Sequence, residues 1–385
     1  MRQPAQRPLS RLLLPLLLLP LLASCRGRPT LTEDTDPPFV FRSLDLRQQD
    51  RDGKPDWELT SPEARYDSRR RVIRAIQPSG IIYQKGEPVY RLQAMSGTVL
   101  NDGEVILLEG SVRLRRVGSD PIQISAARVR WLPRKQRMEL DRRPSAVNRR
   151  SRLLASRARF RFDKDRLELR GKPRLEQWSR PFDPFKALPK DPPEAVLRVD
   201  KADWYPGSGR LEATGPIQGR RNAKAEKDTE GSRSDRDKRP SQTLTASALQ
   251  GNTQKQEYLL KSPVEVRDME LKAVLKAGDT SIQAARQTVR TQGCDIQRPG
   301  ETLVADTCIW NWETNEVEAI GSMVYRRREN DQITRGDRMK GRLSEGGWVQ
   351  VTSPGGRVFS RFRVPKGSRP SSPPSQRQAP EPIRL

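Results

Sequence analysis

A unit of two short strands recurs along this chain and limits the folds that it can adopt. In LNDGEVILLEGSVRL, residues 100–114, a turn signal precedes apolar residues that alternate with other residues, and Gly110 interrupts them. Related second strands are EVILLEGSVRLRR at 104–116, RLELRGKPRLEQW at 166–178, RLEATGPIQGR at 210–220, EYLLKSPVEVRD at 257–268 and EVEAIGSMVYRRR at 316–328. Alternation with a period of two residues predicts strands rather than helices.

Small residues and glycines mark fixed points of the unit. The small residues that precede an apolar or aromatic residue by two places, roughly 30 residues apart, are Ala64, Gly97, Ala127 and Ala158. The glycines that interrupt the second strands are Gly110, Gly171, Gly215 and Gly321. A glycine at one point of every unit predicts a bend or a bulge there. We therefore expect an all-β chain of stacked antiparallel β-hairpins, with one apolar and one charged side to each strand.

The composition favours an elongated arrangement of these hairpins. Only 34% of the residues are hydrophobic and 5% are aromatic, whereas 31% are charged. This is a thin supply for one large globular core. Units that bury a face only against their neighbours need less.

The charge points to an anionic partner, and the absence of histidine excludes several catalytic classes. Lys and Arg number 73 against 48 Asp and Glu, which gives a net charge of +25. With no histidine in the chain, Ser-His-Asp triads and His-ligated metals are excluded. A calcium-like start at 50–53 has Lys54 and Ser61 where oxygen ligands are needed, so we expect a turn there. No carboxylate pair stands out as a general acid and base, and we expect no enzyme, no metal and no cofactor.

The N-terminus predicts export and a lipid anchor. Basic residues precede a leucine run at 12–22, which is too short to span a bilayer and fits a signal peptide. The following LASC, ending in Cys25, resembles the bacterial lipobox, in which cleavage precedes a cysteine that carries a lipid. A plain signal peptide with an incidental cysteine is the alternative. Outside the cytoplasm the available anions are membrane headgroups and surface glycolipids, so we expect no nucleic-acid partner.

The chain divides into predicted segments by composition. They are a lipoprotein signal peptide at 1–24, an anchor linker at 25–40, a β-jelly roll at 41–178, a proline-rich connector at 179–195, further β repeats at 196–365 with a disordered basic insert at 219–242, and a disordered tail at 366–385. In an oxidising compartment Cys294 and Cys308 could form a disulfide or remain two separate buried thiols.

The N-terminal third resembles a known family. The segments DLRQQDRDGKPDWELTSPEARYD at 45–67 and PSGIIYQKGEPVYRLQAMSGTVLNDGEVILLEGSVRL at 78–114 are similar to the LptC family of lipopolysaccharide export. The features that match are Gly53, Trp57, Ala64, Tyr66, Tyr83, Gly97 and the LEG-x-V motif at 108–112. The later repeats look like the OstA-type strands shared with LptA.

This resemblance implies a twisted antiparallel β-jelly roll that is open along one edge, with an apolar groove for lipid A acyl chains. By alternation, the inward groove candidates are Tyr90, Leu92, Val105, Leu107, Val112, Leu114, Ile122, Ile124, Val129, Trp131, Phe160 and Phe162. The alternative is that these residues only fill a closed core. The implied partners are lipopolysaccharide, the permease subunits of an ABC transporter, an LptA-type or outer-membrane LptD-type bridge protein, and a membrane that holds the lipid anchor. The implied location is the periplasm, with the anchor in the inner rather than the outer membrane.

A second function, from a different class, is compatible with the same pattern. Exposed sheet edges could bind other envelope proteins, so that the chain would be an assembly scaffold without lipid cargo. The chain is about twice as long as a single-domain family member, and its extra repeats could replace part of a separate bridge protein.

Overall fold

Alternating apolar residues form strands throughout the part of the chain that the computed structural model describes, which is residues 39–222, 240–342 and 347–363. These residues form 30 strands. The strands are β1 (Phe39–Phe41), β2 (Leu44–Gln49), β3 (Pro55–Ser61), β4 (Glu63–Asp67), β5 (Val72–Ile76), β6 (Ser79–Gln84), β7 (Glu87–Gln93), β8 (Ser96–Leu100), β9 (Val105–Arg116), β10 (Gln123–Leu132), β11 (Arg137–Asp141), β12 (Ser145–Val147), β13 (Ser151–Leu154), β14 (Arg157–Arg161), β15 (Arg166–Arg170), β16 (Arg174–Gln177), β17 (Ala195–Arg198), β18 (Lys201–Trp204), β19 (Arg210–Asn222), β20 (Pro240–Asn252), β21 (Glu257–Lys261), β22 (Val264–Asp268), β23 (Ala273–Ala277), β24 (Thr280–Gln283), β25 (Thr288–Arg298), β26 (Glu301–Asn311), β27 (Glu316–Arg327), β28 (Gln332–Arg342), β29 (Val349–Thr352) and β30 (Phe359–Arg361). Single 3₁₀ turns lie at Asn101–Gly103, Pro133–Lys135, Phe162–Lys164 and Ala284–Arg286.

The strands pair antiparallel in two layers. The first layer runs β2-β3-β6-β7-β9-β10-β12-β13-β16-β17-β19-β20-β22-β23-β25-β26-β27-β28-β30. The second layer runs β1-β4-β5-β8-β9-β10-β11-β14-β15-β18-β19-β20-β21-β24-β25-β26-β27-β28-β29. The long strands β9, β10, β19, β20 and β25 to β28 belong to both layers, one half of each strand in each layer. This is the predicted all-β jelly roll, built from repeated hairpins.

Glycine bulges produce the bends that carry the long strands from one layer to the other. Gly110, Gly215 and Gly321 have φ of +76°, +91° and +75°, in the left-handed region that favours glycine. The pairing register slips beside each of them, between Ala126 and Arg128 for the first. At Gly171 the chain makes the same change of layer between two separate strands, β15 and β16. The predicted bends are therefore present.

One apolar core lies between the two layers. Its buried side chains run without interruption from Trp57 in β3 to Met339 in β28. A smaller cluster of Leu44, Ala64 and Ala75 lies at the N-terminal end of the sheet. Since the inner-face side chains of both layers form this one cluster, burial of the apolar residues holds the layers together.

The predicted segments differ from the observed strands at several boundaries. β1 already begins inside the predicted linker, at Phe39, and the proline-rich connector joins β16 to β17, which pair directly with each other. β19 and β20 enter both ends of the predicted insert at 219–242, while residues 223–239 lie outside the described part. The signal peptide, Cys25 and the tail at 366–385 also lie outside it, and the division into domains stays a prediction. Within the described ranges, no helix has the length and apolar character needed to cross a bilayer.

Candidate functional site

The two layers meet a second time along the line opposite the glycine bends, and we call this line the seam. Turns and strand ends of the first layer face turns and strand ends of the second layer there. In the N-terminal half, aromatic rings close the seam. The rings of Trp57 and Trp131 have centroids 5.4 Å apart, and Tyr90 lies 5.3 Å from Phe160 and 6.1 Å from Phe162. Each edge-to-face pair stabilises the closed seam by about 0.5–1.5 kcal/mol.

A half-buried carboxylate adds a polar contact to this part of the seam. The Tyr90 hydroxyl donates to Asp165 Oδ1 at 3.2 Å, and the Gly207 amide donates to Asp165 Oδ2 at 2.6 Å. Burial raises the pKa of the Asp165 carboxyl, although both donors and the nearby Arg116 favour its charged form. Burial, followed by the charge of Asp165, raises the pKa of the Tyr90 phenol well above its ordinary value. Tyr90 is therefore a neutral donor that joins the two layers.

Most of the predicted groove residues lie together in the interior between the layers. Those with at most 2% of their surface exposed are Tyr90, Leu92, Val112, Leu114, Ile122, Ile124, Val129, Trp131 and Phe160. Phe162 is half-buried and packs against the same core. These side chains fill the N-terminal interior, so lipid could enter it only after the seam opens.

The inward orientation predicted for Val105 and Leu107 is wrong. Both are only partly buried, whereas their neighbours Ile106 and Leu108 are completely buried. The predicted inward residues of β9 have odd numbers before Gly110 and even numbers after it, so the alternation would have to reverse at the bend. The bulge instead places one extra residue in β9 opposite β10, so β9 keeps its alternation through the bend.

The reversal occurs in the partner strand. In β10, Ala126 and Val129 both face the core, and the two residues between them are exposed. The inward residues at both ends of β10, which include Ile124 and Trp131, were therefore predicted correctly.

A cavity lies in the interior of the C-terminal repeats, where the sequence analysis named no groove residue. Its volume is about 350 Å³, and its lining includes Leu197, Leu244, Leu249, Leu260, Val266 and Ile282. We call it the C-terminal cavity. Trp310 and Trp312 also line it. The alternation in β20, β21 and β24 predicts which residues point inward. No sequence signal predicts that a cavity remains between those side chains.

Charged residues surround the opening of this cavity at the seam. Arg150, Glu194, Arg220 and Arg221 are its charged lining residues, and all four come from the first layer. Arg221 Nη2 lies 2.8 Å from Glu194 Oε1, and the Arg221 guanidinium lies 5.2 Å from the ring centroid of Trp312 in the second layer. The pair of Arg221 and Trp312 thus bridges the seam over the opening.

Two further side-chain contacts cross the seam and join a residue of the N-terminal half to a residue of the C-terminal half. Asn148 Nδ2 donates to Thr253 Oγ1 at 3.3 Å, and the Tyr258 hydroxyl donates to Gln177 Oε1 at 3.3 Å. Burial raises the pKa of Tyr258, so this hydroxyl also stays protonated. All the contacts named across the seam involve side chains, whereas the bends opposite are continuous backbone.

A disulfide fixes one wall beside the cavity. Cys294 in β25 and Cys308 in β26 are joined, with Cα atoms 5.9 Å apart, and both are buried. Among the residues that the structure describes, no group of three or more side chains could hold a metal ion.

Exposed apolar side chains gather at the two ends of the sheet. At the N-terminal end they are Phe39, Val40 and Phe41, and at the C-terminal end Trp348, Val349, Val358, Phe359 and Phe362. A cleft of about 910 Å³ lies at the C-terminal end, with Tyr325, Met339 and Val351 in its lining. The interior surface is therefore accessible beside the last strands that the structure describes.

Comparison with known proteins gives a family match. A family model described as "Lipopolysaccharide-assembly, LptC-related" matches residues 17–175. No curated protein matches the chain. The matched region contains all the predicted groove residues, and of the residues that line the C-terminal cavity it contains only Arg150.

Proposed function

Residues 17–175 belong to the LptC-related family of lipopolysaccharide-assembly proteins, and from this membership we propose that the chain is a periplasmic, membrane-anchored component of lipopolysaccharide export. In this proposal its jelly roll shields the acyl chains of lipid A and passes lipopolysaccharide from an ABC transporter towards the outer membrane.

The observation that carries the proposal is the position of the apolar interior behind a seam of side chains. Opening the seam exchanges aromatic and hydrogen-bonded contacts for contacts with a ligand and leaves the strand ladders intact. An acyl chain that enters gains about 0.8 kcal/mol for each CH₂ group removed from water. The sugars stay outside the apolar interior, in water.

The energy for directed movement comes from the transporter. The chain has no glycine-rich phosphate-binding loop, so we assign it a passive role. Its mechanism is to remove the cost of exposing acyl chains to water while the lipid crosses the periplasm.

The anchor and the protein partners complete the proposal. Cys25 would carry the lipid that holds the chain at the inner membrane. The permease subunits would dock at the N-terminal end of the sheet, where Phe39 and Phe41 are exposed, and an LptA-type or LptD-type protein would extend the C-terminal end beside Phe359. Edge strands offer unpaired backbone groups for such docking.

A second candidate function is an assembly scaffold that binds envelope proteins and carries no lipid. The exposed apolar side chains on β1, β29 and β30 favour it, because they fit protein docking as well as lipid transfer.

Photocrosslinking in cells during export separates the two functions. A photoreactive amino acid at Phe162, inside the seam, is expected to capture lipopolysaccharide. The same amino acid at Leu107, which faces outward from β9, is the matched control and should capture none. Capture of proteins but never of lipopolysaccharide at Phe162, with export still active, would favour the scaffold and contradict the carrier.

A further inference from the structure

The C-terminal cavity distinguishes the later repeats from the N-terminal half. The same two layers enclose both regions, yet in the N-terminal half large side chains such as Trp131 and Phe160 fill the interior. In the C-terminal half the aliphatic residues Leu249, Leu260 and Val266 surround about 350 Å³ of space. This volume lies in the range of ligand pockets, about 300–1,000 Å³.

The distribution of charge in the cavity lining is one-sided. Arg150 and Arg221 outnumber Glu194 where the first layer reaches the seam, and the neighbouring Arg220 is exposed on β19. The deep end, at Val266 and Trp310, carries no charge. A ligand that fits this arrangement has an apolar tail and an anionic group at one end.

Arg221 is the residue best placed to bind that anionic group. Its guanidinium ends at the opening, between Glu194 and Trp312, and its side chain is 19% exposed. A guanidinium binds phosphate through two parallel hydrogen bonds, a geometry that it also uses with a carboxylate. A phosphate can therefore take the place of Glu194 without moving Arg221 from the ring of Trp312.

We infer that the C-terminal cavity is an acyl-chain site for a phosphorylated glycolipid, with the chain between the layers and the phosphate on Arg221. This inference rests on the proposed function, since it assumes that such a lipid passes along the interior. It adds a holding site whose lining, apart from Arg150, lies outside the region that matches the family, together with the residue that selects the headgroup.

The test uses the full-length chain and two purified ligands, lipid A and lipid A from which the phosphates have been removed. A photoreactive amino acid at Ile282, a half-buried residue of the cavity wall, reports occupation. It should capture both ligands, and capture of lipid A should need a lower ligand concentration than capture of the dephosphorylated form. Replacement Arg221→Ala should weaken capture of lipid A about tenfold, the size expected for one charge-assisted contact, and leave the dephosphorylated ligand unchanged.

Two further variants control the interpretation. Glu194→Gln removes the carboxylate that competes with phosphate, so it should strengthen or preserve capture of lipid A. Arg267→Ala is the matched control, because Arg267 also forms an ion pair, with Glu265 at 2.6 Å, but is exposed on the outer side of β22. It should change capture less than about twofold, as expected for an exposed pair.

Several results would overturn the inference. If Arg221→Ala weakened capture of both ligands equally, or of neither, Arg221 would not bind the phosphate. Capture of a protein segment instead of lipid at Ile282 would give the cavity a different occupant. If Phe162 captures lipopolysaccharide during export and Ile282 captures nothing, the holding site is wrong and the carrier function stands. If neither Phe162 nor Ile282 captured lipid, both the carrier function and the holding site would be contradicted.

Discussion

At the residue scale, the bends depend on single glycines that no other residue could replace without strain. Gly110 combines a φ of +76° with a close neighbour, because a Cβ added there would lie 2.8 Å from the Cβ of Met95. Gly53 has the same φ of +76°, but nothing lies within 4 Å of its added Cβ. The two positions therefore separate backbone strain from crowding.

Replacement of Gly110 by alanine is expected to destabilise the fold more than replacement of Gly53. Each variant should lose about 1–2 kcal/mol from the left-handed backbone, and Gly110→Ala should lose about 1–3 kcal/mol more from the contact with Met95. Urea unfolding of both purified variants measures the difference. An equal decrease in the free energy of unfolding of both variants would contradict the crowding between Gly110 and Met95.

At the element scale, the sequence predicted the strands and the bends but not the alternation of β9. Period-two patterns and glycines at regular intervals are local signals. They were sufficient to predict the strands and the bends. The direction of a side chain beside a bulge depends on which strand carries the extra residue, and this is a property of the pair β9 and β10. For this reason Ile124 and Trp131 were correctly placed inside while Val105 and Leu107 were not.

The register of β9 can be tested with adjacent leucines. Leu108→Ala removes a completely buried side chain and should lower the free energy of unfolding by about 2–5 kcal/mol. Leu107→Ala, on the opposite face of the same strand, should lower it by less than about 1 kcal/mol. The reverse order, measured by denaturant titration, would place Leu107 in the core and restore the predicted alternation.

At the scale of the whole molecule, the strand ladders continue past the end of the family match. β16 begins at Arg174 and pairs with β17 across the proline-rich segment, so the layers pass from the matched region into the later repeats. The sequence predicted that the repeats continue. It could not predict the C-terminal cavity, because an interior volume is set by the fit between side chains of two layers, such as Leu197 and Ile282, that lie far apart in the chain.

The central claim is that acyl chains enter the interior between the layers through the seam, and locking the seam tests it most directly. Asn148→Cys and Thr253→Cys replace two residues whose side chains meet across the seam at 3.3 Å, and a short photocleavable bis-maleimide can join them. Ser125→Cys with Ser145→Cys is the matched control, since these side chains meet at 2.9 Å between β10 and β12 within the first layer.

The measurement is lipopolysaccharide uptake by the full-length chain before linking, after linking and after photocleavage. The seam-locked chain should lose uptake and regain it when light cleaves the linker, while the control pair should take up lipopolysaccharide in all three states. Undiminished uptake by the fully linked seam variant would contradict the account, because lipid would then reach the chain without passing between the layers.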